Sequence, residues 1–383
     1  MKKLNCILFA SLICLTNIYP QTYKGGYDNL FLNQQVNAQA EAMGEGHATM
    51  YGSPFSAFYN PASSAFSSGL NAEVSHLDPN NIYDSRPYYN SYGISYNSDK
   101  YGAISLNEIY YTANENYTYY YSYPWNNYYY GQLQHTPTMQ LYLLNYSYMI
   151  CEGFSAGLNI DYLRSDAGYA KYNAALVDIG FMKKFQIKTN SADHDFYLGL
   201  SCSNITNAKL KSSDIKSSYE YDNKSTFAET APSIMRVGGS YEFSPEMKVA
   251  DFHVIKTLFA VDYRDVLNYK YDDAIQFGSE FTFFDILKIR AGYYTQSVNS
   301  YNSPYLKDRI NSFTYGFGID IPISKFYKCN RPVSLQFDFA RIQNPESSYY
   351  AETYDYRDYD YENGSYDSQT DYSVYSLKLK IGL

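Results

Sequence analysis

Residues 313–321 read Phe-Thr-Tyr-Gly-Phe-Gly-Ile-Asp-Ile, and the order of those side chains decides the fold class. In an extended chain Phe313, Tyr315, Phe317, Ile319 and Ile321 share one face, while Thr314, Gly316, Gly318 and Asp320 share the other. Strict alternation of this kind predicts a β-strand with one apolar and one polar face. The pattern recurs in Leu335, Phe337 and Phe339 against Gln336, Asp338 and Ala340. It recurs in Met235, Val237, Gly239, Tyr241 and Phe243 against Arg236, Gly238, Ser240 and Glu242. The last residues repeat it, with Tyr375, Leu377, Leu379, Ile381 and Leu383 set against Ser376, Lys378, Lys380 and Gly382.

Working outward, fourteen segments carry the pattern: 69–77, 91–98, 101–112, 138–149, 152–164, 174–187, 194–204, 232–243, 253–264, 273–283, 286–297, 310–321, 332–342 and 371–382. Several run to ten residues or more. Strands of soluble sandwiches cluster near five or six residues, whereas a tilted membrane-spanning strand needs about nine to eleven. The connections alternate long and short. The long ones are 78–90, 113–137, 165–173, 205–231, 265–272, 298–309 and 343–370; the short ones include 98–101, 150–152, 188–193 and 284–285. An even strand number with short turns at one end and long loops at the other belongs to outer-membrane barrels. The expected fold is therefore all-β: a 14-stranded antiparallel transmembrane barrel, residues 69–383, in the outer membrane of a Gram-negative bacterium.

Charge fixes which face meets lipid. Arg236, Glu242, Asp262, Arg264, Glu280 and Arg290 alternate with the aromatics, as do Glu73, Asp161, Asp178, Asp320, Asp338, Lys378 and Lys380. One Arg or Lys at the lipid midplane costs about 2–4 kcal/mol. Such a set facing outward would exceed the stability of a typical domain, about 5–15 kcal/mol. These residues are expected to line the lumen, either bracing the wall as ion pairs or forming a polar path for a solute. On this reading Glu280→Ala leaves folding nearly intact, while Phe281→Lys on the lipid face costs about 2–4 kcal/mol.

Composition closes other routes. Among 383 residues, 49 Tyr and 22 Phe are too many aromatic side chains for a solvated coil. A formal charge of −9 without clustered Lys and Arg makes a nucleic-acid partner unexpected. Met1-Lys2-Lys3 followed by the apolar stretch Leu4 to Ile18 reads as a secretory signal, residues 1–21. Cys6 and Cys14 fall in that signal; Cys151, Cys202 and Cys329 are widely spaced, which indicates neither a disulfide framework nor a zinc site. Whether any two of them pair is left open.

Residues 22–68 do not alternate. They contain Ala38-Gln39-Ala40-Glu41-Ala42-Met43-Gly44-Glu45-Gly46 and, further on, Phe58-Tyr59-Asn60-Pro61-Ala62. Asn-Pro marks a turn and small residues allow close backbone packing, so the segment is expected to sit in the lumen as a plug. The stretch AQAEAMGEGHATMYGSPFSAFYNPASSAF, residues 38–66, resembles the N-terminal signature of FadL-type hydrophobic-compound transporters and of PorV-type proteins of type IX secretion. The resemblance implies a hatch inside the barrel that contains Gly44, Gly46, Asn60 and Pro61. The chain departs from the pattern at Glu45, His47 and Ser63-Ser64.

Residues 109–130 hold a Tyr- and Asn-rich run with the only Trp of the chain. Tyr119, Tyr120, Trp125 and Tyr128 are candidate external contacts, for adaptable binding or as part of an aromatic girdle. The acidic stretch within 343–370 departs from a calcium loop at Asn363 and Gln369. No GxSxG, HExxH or phosphate-loop pattern is present, and the five His are scattered, so neither an enzyme nor a cofactor is expected. Three readings stand. The first is a passive transporter of hydrophobic or amphipathic small molecules; the second is a surface-assembly or secretion partner that binds client proteins; the third is a structural or adhesive barrel. The topology has its own test: on intact cells, thiol labelling is expected to reach cysteines placed at Asn126 or Ser365 and to miss one at Lys100. The reverse pattern would invert the barrel.

Overall fold

A backbone in hydrocarbon must satisfy its amides internally, and a sheet does so only by closing on itself. The computed structural model shows that closure. It describes residues 36–79, 88–98, 100–112, 117–118, 134–135, 138–166, 170–215, 230–249, 251–268, 273–297, 309–327, 331–343 and 372–382. Fourteen long strands form the wall: β1 (Gly69–Pro79), β2 (Tyr88–Ser98), β3 (Gly102–Thr112), β4 (Thr138–Cys151), β5 (Phe154–Asp166), β6 (Ala170–Lys188) and β7 (Ala192–Cys202) in the first half. The second half is β8 (Ile234–Pro245), β9 (Ile255–Val266), β10 (Ala274–Phe283), β11 (Leu287–Ser297), β12 (Arg309–Ile321), β13 (Val333–Gln343) and β14 (Tyr372–Ile381). Each pairs antiparallel with its neighbours in sequence, and β14 returns to β1 in a ladder running from Leu70↔Ile381 to Pro79↔Tyr372.

Both chain ends of the barrel and the tight turns lie at one end, called here the turn side; the long connections lie at the loop side. The observed strands stay within four residues of the expected segments. The largest difference is β6, which starts at Ala170 rather than 174, because a short strand at Lys211–Ile215 pairs with it there. Two turn-side connections carry structure that alternation does not reveal. One contains a small hairpin, Lys248–Val249 with Phe252–His253, and the other a helical turn at Ile323–Phe326.

Every strand turns large apolar side chains outward, from Val74, Tyr92 and Ile104 through Leu158, Phe196 and Phe259 to Phe317, Phe337 and Leu377. A continuous exposed apolar surface on a closed barrel is stable only against lipid. The chain is an outer-membrane β-barrel. The candidate lumen charges turn inward as expected: Glu73, Asp161, Asp178, Arg236, Asp262, Arg264, Glu280, Arg290 and Lys378 are all buried. Glu108 and Arg164 are exceptions on the outer face: Glu108 lies midway along β3, paired across the ladder with Tyr142, and Arg164 near the loop end of β5.

Depth refines the lipid-face expectation. Phe281 lies near the turn end of β10, whereas Phe277 lies midway along it and is 46% exposed. Because the cost of a buried charge falls toward the interface, Phe277→Lys is expected to cost about 2–4 kcal/mol and Phe281→Lys clearly less. Denaturant unfolding in lipid vesicles would read both; equal costs would contradict this placement of the membrane.

Candidate functional site: the lumen and its insert

The segment before β1 is built from short helical pieces whose ends are closed by its own side chains. The first helix, α1 (Ala38–Ala42), follows from its alanines, and Asn37 caps it by accepting from the Ala40 amide at 3.0 Å. The second, α2 (Ser56–Tyr59), runs into a 3-10 turn at Pro61–Phe66. There Asn60 accepts from the Ala62 amide at 3.0 Å and Pro61 occupies the first position, where a missing amide proton costs nothing. From residue 36 to 65 every side chain except Tyr51 and Gly52 is buried.

The partners of this insert lie all around the inner wall. Its Ala38 amide donates to Ser376 of β14 at 2.9 Å, Gly44 to Thr314 of β12 at 3.0 Å, and Ala48 to Asp262 of β9. From the opposite side Asn145 of β4 donates to the Pro61 carbonyl at 2.9 Å and Asn159 of β5 to Ala57 at 2.9 Å. Ser201 of β7 donates to Tyr59 at 2.7 Å. Inward glycines make room. A Cβ at Gly157 or Gly180 would strike Pro61, one at Gly199 would strike Ala48, and one at Gly278 or Gly292 would strike Met43 or Gly44.

Gly44, Gly46, Asn60, Pro61 and four of the lumen candidates have places in this packing. Gly44 has φ +61, and a side chain there would also meet the backbone of Phe277 and Tyr293 at 2.5 Å. Gly46 lies against Ala260 of β9, its Cβ position 3.6 Å from that of Ala260. Asn60 donates to Ala48 and Phe181 carbonyls at 2.9 and 3.2 Å, and Pro61 accepts from the wall. Arg264 donates to Glu45 at 3.2 Å, joined there by Gln276 at 2.7 Å. Arg236 stacks over Phe58 and Tyr59, each 5.8 Å away, and Glu242 accepts from Tyr51 at 3.4 Å. Four of the six lumen candidates thus hold the insert and do not line an open path. Tyr119, Tyr120, Trp125 and Tyr128, the signal segment and Cys329 lie outside the described residues; Cys151 is exposed and Cys202 buried.

The remaining two, Glu280 and Arg290, brace the wall. Arg290 donates to Glu280 at 2.6 Å and to Asp338 at 2.6 Å, with its guanidinium fully buried. His47 of the insert lies close enough to feel these charges. Burial, reinforced by Lys378 and Arg290, lowers its ring to about 3, so it is neutral, and it packs on Tyr59 at 4.6 Å.

The lumen also has an apolar part that the sequence reading did not single out. Most of the charges occupy the middle and the turn side, with Arg236 and Arg264 near the loop-side ends of β8 and β9. Toward the loop side the inner wall of β1, β3 to β6, β13 and β14 is apolar, with Leu77, Ile109, Leu141, Leu143, Leu163, Leu176, Ile342 and Val374 in one buried cluster with Val36, Ala38, Phe55 and Phe58 of the insert. Alternation hides this belt, because Leu141-Tyr142-Leu143-Leu144 is apolar on both faces.

The tolerance expected for Glu280→Ala is corrected. Its removal leaves a buried guanidinium with one carboxylate instead of two, which typically costs about 3–5 kcal/mol. Denaturant titration in vesicles is expected to show a loss of that order for Glu280→Ala, and one below about 1 kcal/mol would show that Asp338 alone suffices for Arg290.

A scan against protein-family models and a search of curated proteins both find no match. Solved structures do show likeness. The toluene transporter TbuX of Ralstonia pickettii is 10% identical with a TM-score of 0.47, over 92% of this chain and 100% of that one. The monoaromatic hydrocarbon channel CymD is 10% identical with a TM-score of 0.45, over 91% and 97%. A FadL homologue of Pseudomonas aeruginosa is 9% identical with a TM-score of 0.44, over 90% and 97%.

Proposed function

We propose that the chain is a passive outer-membrane channel for hydrophobic small molecules, gated by the segment 36–68. The apolar belt on the loop-side inner wall carries this reading. The interior of a water-conducting barrel is polar. An inner wall of Leu, Ile and Val instead favours an apolar solute by about 25 cal/mol for each Å² it removes from water. The belt ends on the insert itself, since Phe55 and Phe58 belong to the same cluster.

The route runs along the barrel axis. Neighbouring wall strands are laddered together, with their one register shift between Met149 and Cys151 on the turn side. Along that axis the insert stands in the way, and its attachments are suited to breaking. Besides the Arg264–Glu45 pair and the stacking of Arg236, many are single hydrogen bonds between an irregular backbone and Ser, Thr, Asn and Asp side chains, each contributing about 0.5–1.5 kcal/mol net. A gate of this kind opens by exchanging wall partners for water.

A reversible lock tests the proposal. The 3.6 Å between the Cβ positions of residues 46 and 260 suits a disulfide. In a background with Cys151, Cys202 and Cys329 changed to serine, Gly46→Cys/Ala260→Cys is expected to take up toluene into vesicles when reduced and to stop when oxidised. Deleting 22–68 is expected to raise conductance in planar bilayers. Toluene uptake that is indifferent to the lock, or absent in the wild type, would remove the gated-channel reading.

A further inference from the structure

Where the insert meets the wall below the segment that follows β7, a cavity of about 20 Å³ remains, bounded by Phe58, Leu141, Leu176, Ile234, Asp161 and Arg236. Most of its surface is apolar. Its polar edge is formed by Asp161, Asp178, Ser203, Asn204 and Arg236, and two atoms of that edge are in an unusual state: Asp161 Oδ1 and Arg236 Nη1 are buried and have no hydrogen-bond partner. Both residues are more than nine-tenths buried, at 3% and 4% exposure. The neighbouring carboxylate is not in that state. Asp178 accepts from the Asn204 amide at 2.7 Å and from Asn159 at 3.1 Å.

The complement of this edge follows from donor and acceptor chemistry. A group seated there must accept from Arg236 and donate to Asp161. A hydroxyl does both through a single oxygen. A carboxylate or phosphate accepts but cannot donate, and it would face two acidic side chains. An ammonium donates but cannot accept, and a hydrocarbon does neither. Size agrees with this choice, since about 20 Å³ is room for one oxygen-sized group.

Phe58 supplies the rest of the argument. Among the residues named at the cavity it alone belongs to the insert, and its ring lies 5.8 Å from the Arg236 guanidinium. When the insert moves, the ring leaves a volume flanked by Leu141, Leu176 and Ile234. We infer that the lumen holds a subsite for the hydroxyl of a hydrophobic alcohol or phenol, formed by Asp161 and Arg236, with the apolar body taking the volume of Phe58. This rests on the channel reading and narrows its solutes to apolar molecules bearing one hydroxyl.

Two isosteric probes, 4-fluorophenol and 4-fluorotoluene, differ only in a hydroxyl against a methyl. With purified full-length Phe58→Ala, fluorine NMR is expected to show the phenol bound about tenfold or more tighter than the toluene, because the methyl leaves both polar groups unpaired. Phe58→Ala/Asp161→Leu is expected to lose that preference. Equal binding of the two probes, tighter toluene binding, or a preference that survives Asp161→Leu would overturn the subsite. Should Phe58→Ala fail to assemble, the wild type decides. Excess 4-fluorophenol is expected to slow toluene uptake into vesicles more than excess 4-fluorotoluene does, and equal slowing overturns the subsite while leaving the channel intact. Absence of any uptake removes the channel reading, and the binding comparison then decides the subsite by itself.

Discussion

An amide group in hydrocarbon has no water to bond, and this constraint shapes the whole chain. It forces strands long enough to span, an even ring of them, and a seam that joins the first to the last. The period-two pattern is a by-product of that ring, because alternate residues meet lipid and lumen. Once the ring is closed, its inner surface inherits every side chain that lipid refuses. The charges of β8 to β14 are inside for that reason. Ion pairs such as Glu280–Arg290–Asp338 are the way a low-dielectric interior tolerates them.

The insert faces the same constraint without a ladder. Its helical pieces are too short to satisfy their own ends, so the wall supplies the missing partners through Ser376, Thr314, Asp262, Asn145 and Asn159. Glycine on the wall lets the two backbones approach, and polar side chains between the glycines supply the bonds. The loop-side belt is different in kind. There Leu, Ile and Val of the wall meet Val36, Phe55 and Phe58 with few polar groups to fix them, so contact is apolar and interchangeable.

Much of the barrel was legible because its signal is repeated fourteen times in the sequence, and strand bounds shift by no more than four residues in the structure. Inward charge was legible at Arg236, Asp262 and Arg264, since each alternates with residues that need lipid. The pairing of Glu280 with Arg290 was within reach as well. Both stand the same distance from the turn at 285, and hairpin symmetry sets them opposite one another. The partner of Arg264 was not within reach, because Glu45 lies 219 positions away in a segment without period. The apolar belt escaped notice for another reason: where both faces of a strand are apolar, alternation carries no information about the inner one.

The seam has a consequence for how the molecule is made. It joins residue 70 to residue 381, so it closes nearly the whole barrel sequence in one loop, and such contacts form late because their entropy cost precedes any reward. The amide of Ala38 finds its partner on Ser376, a residue of that final strand. The insert therefore lacks part of its docking surface until the seam forms, and the seam encloses whatever already lies within. Biogenesis of this barrel is thus an act of packing around a cargo that the chain carries at its own front end.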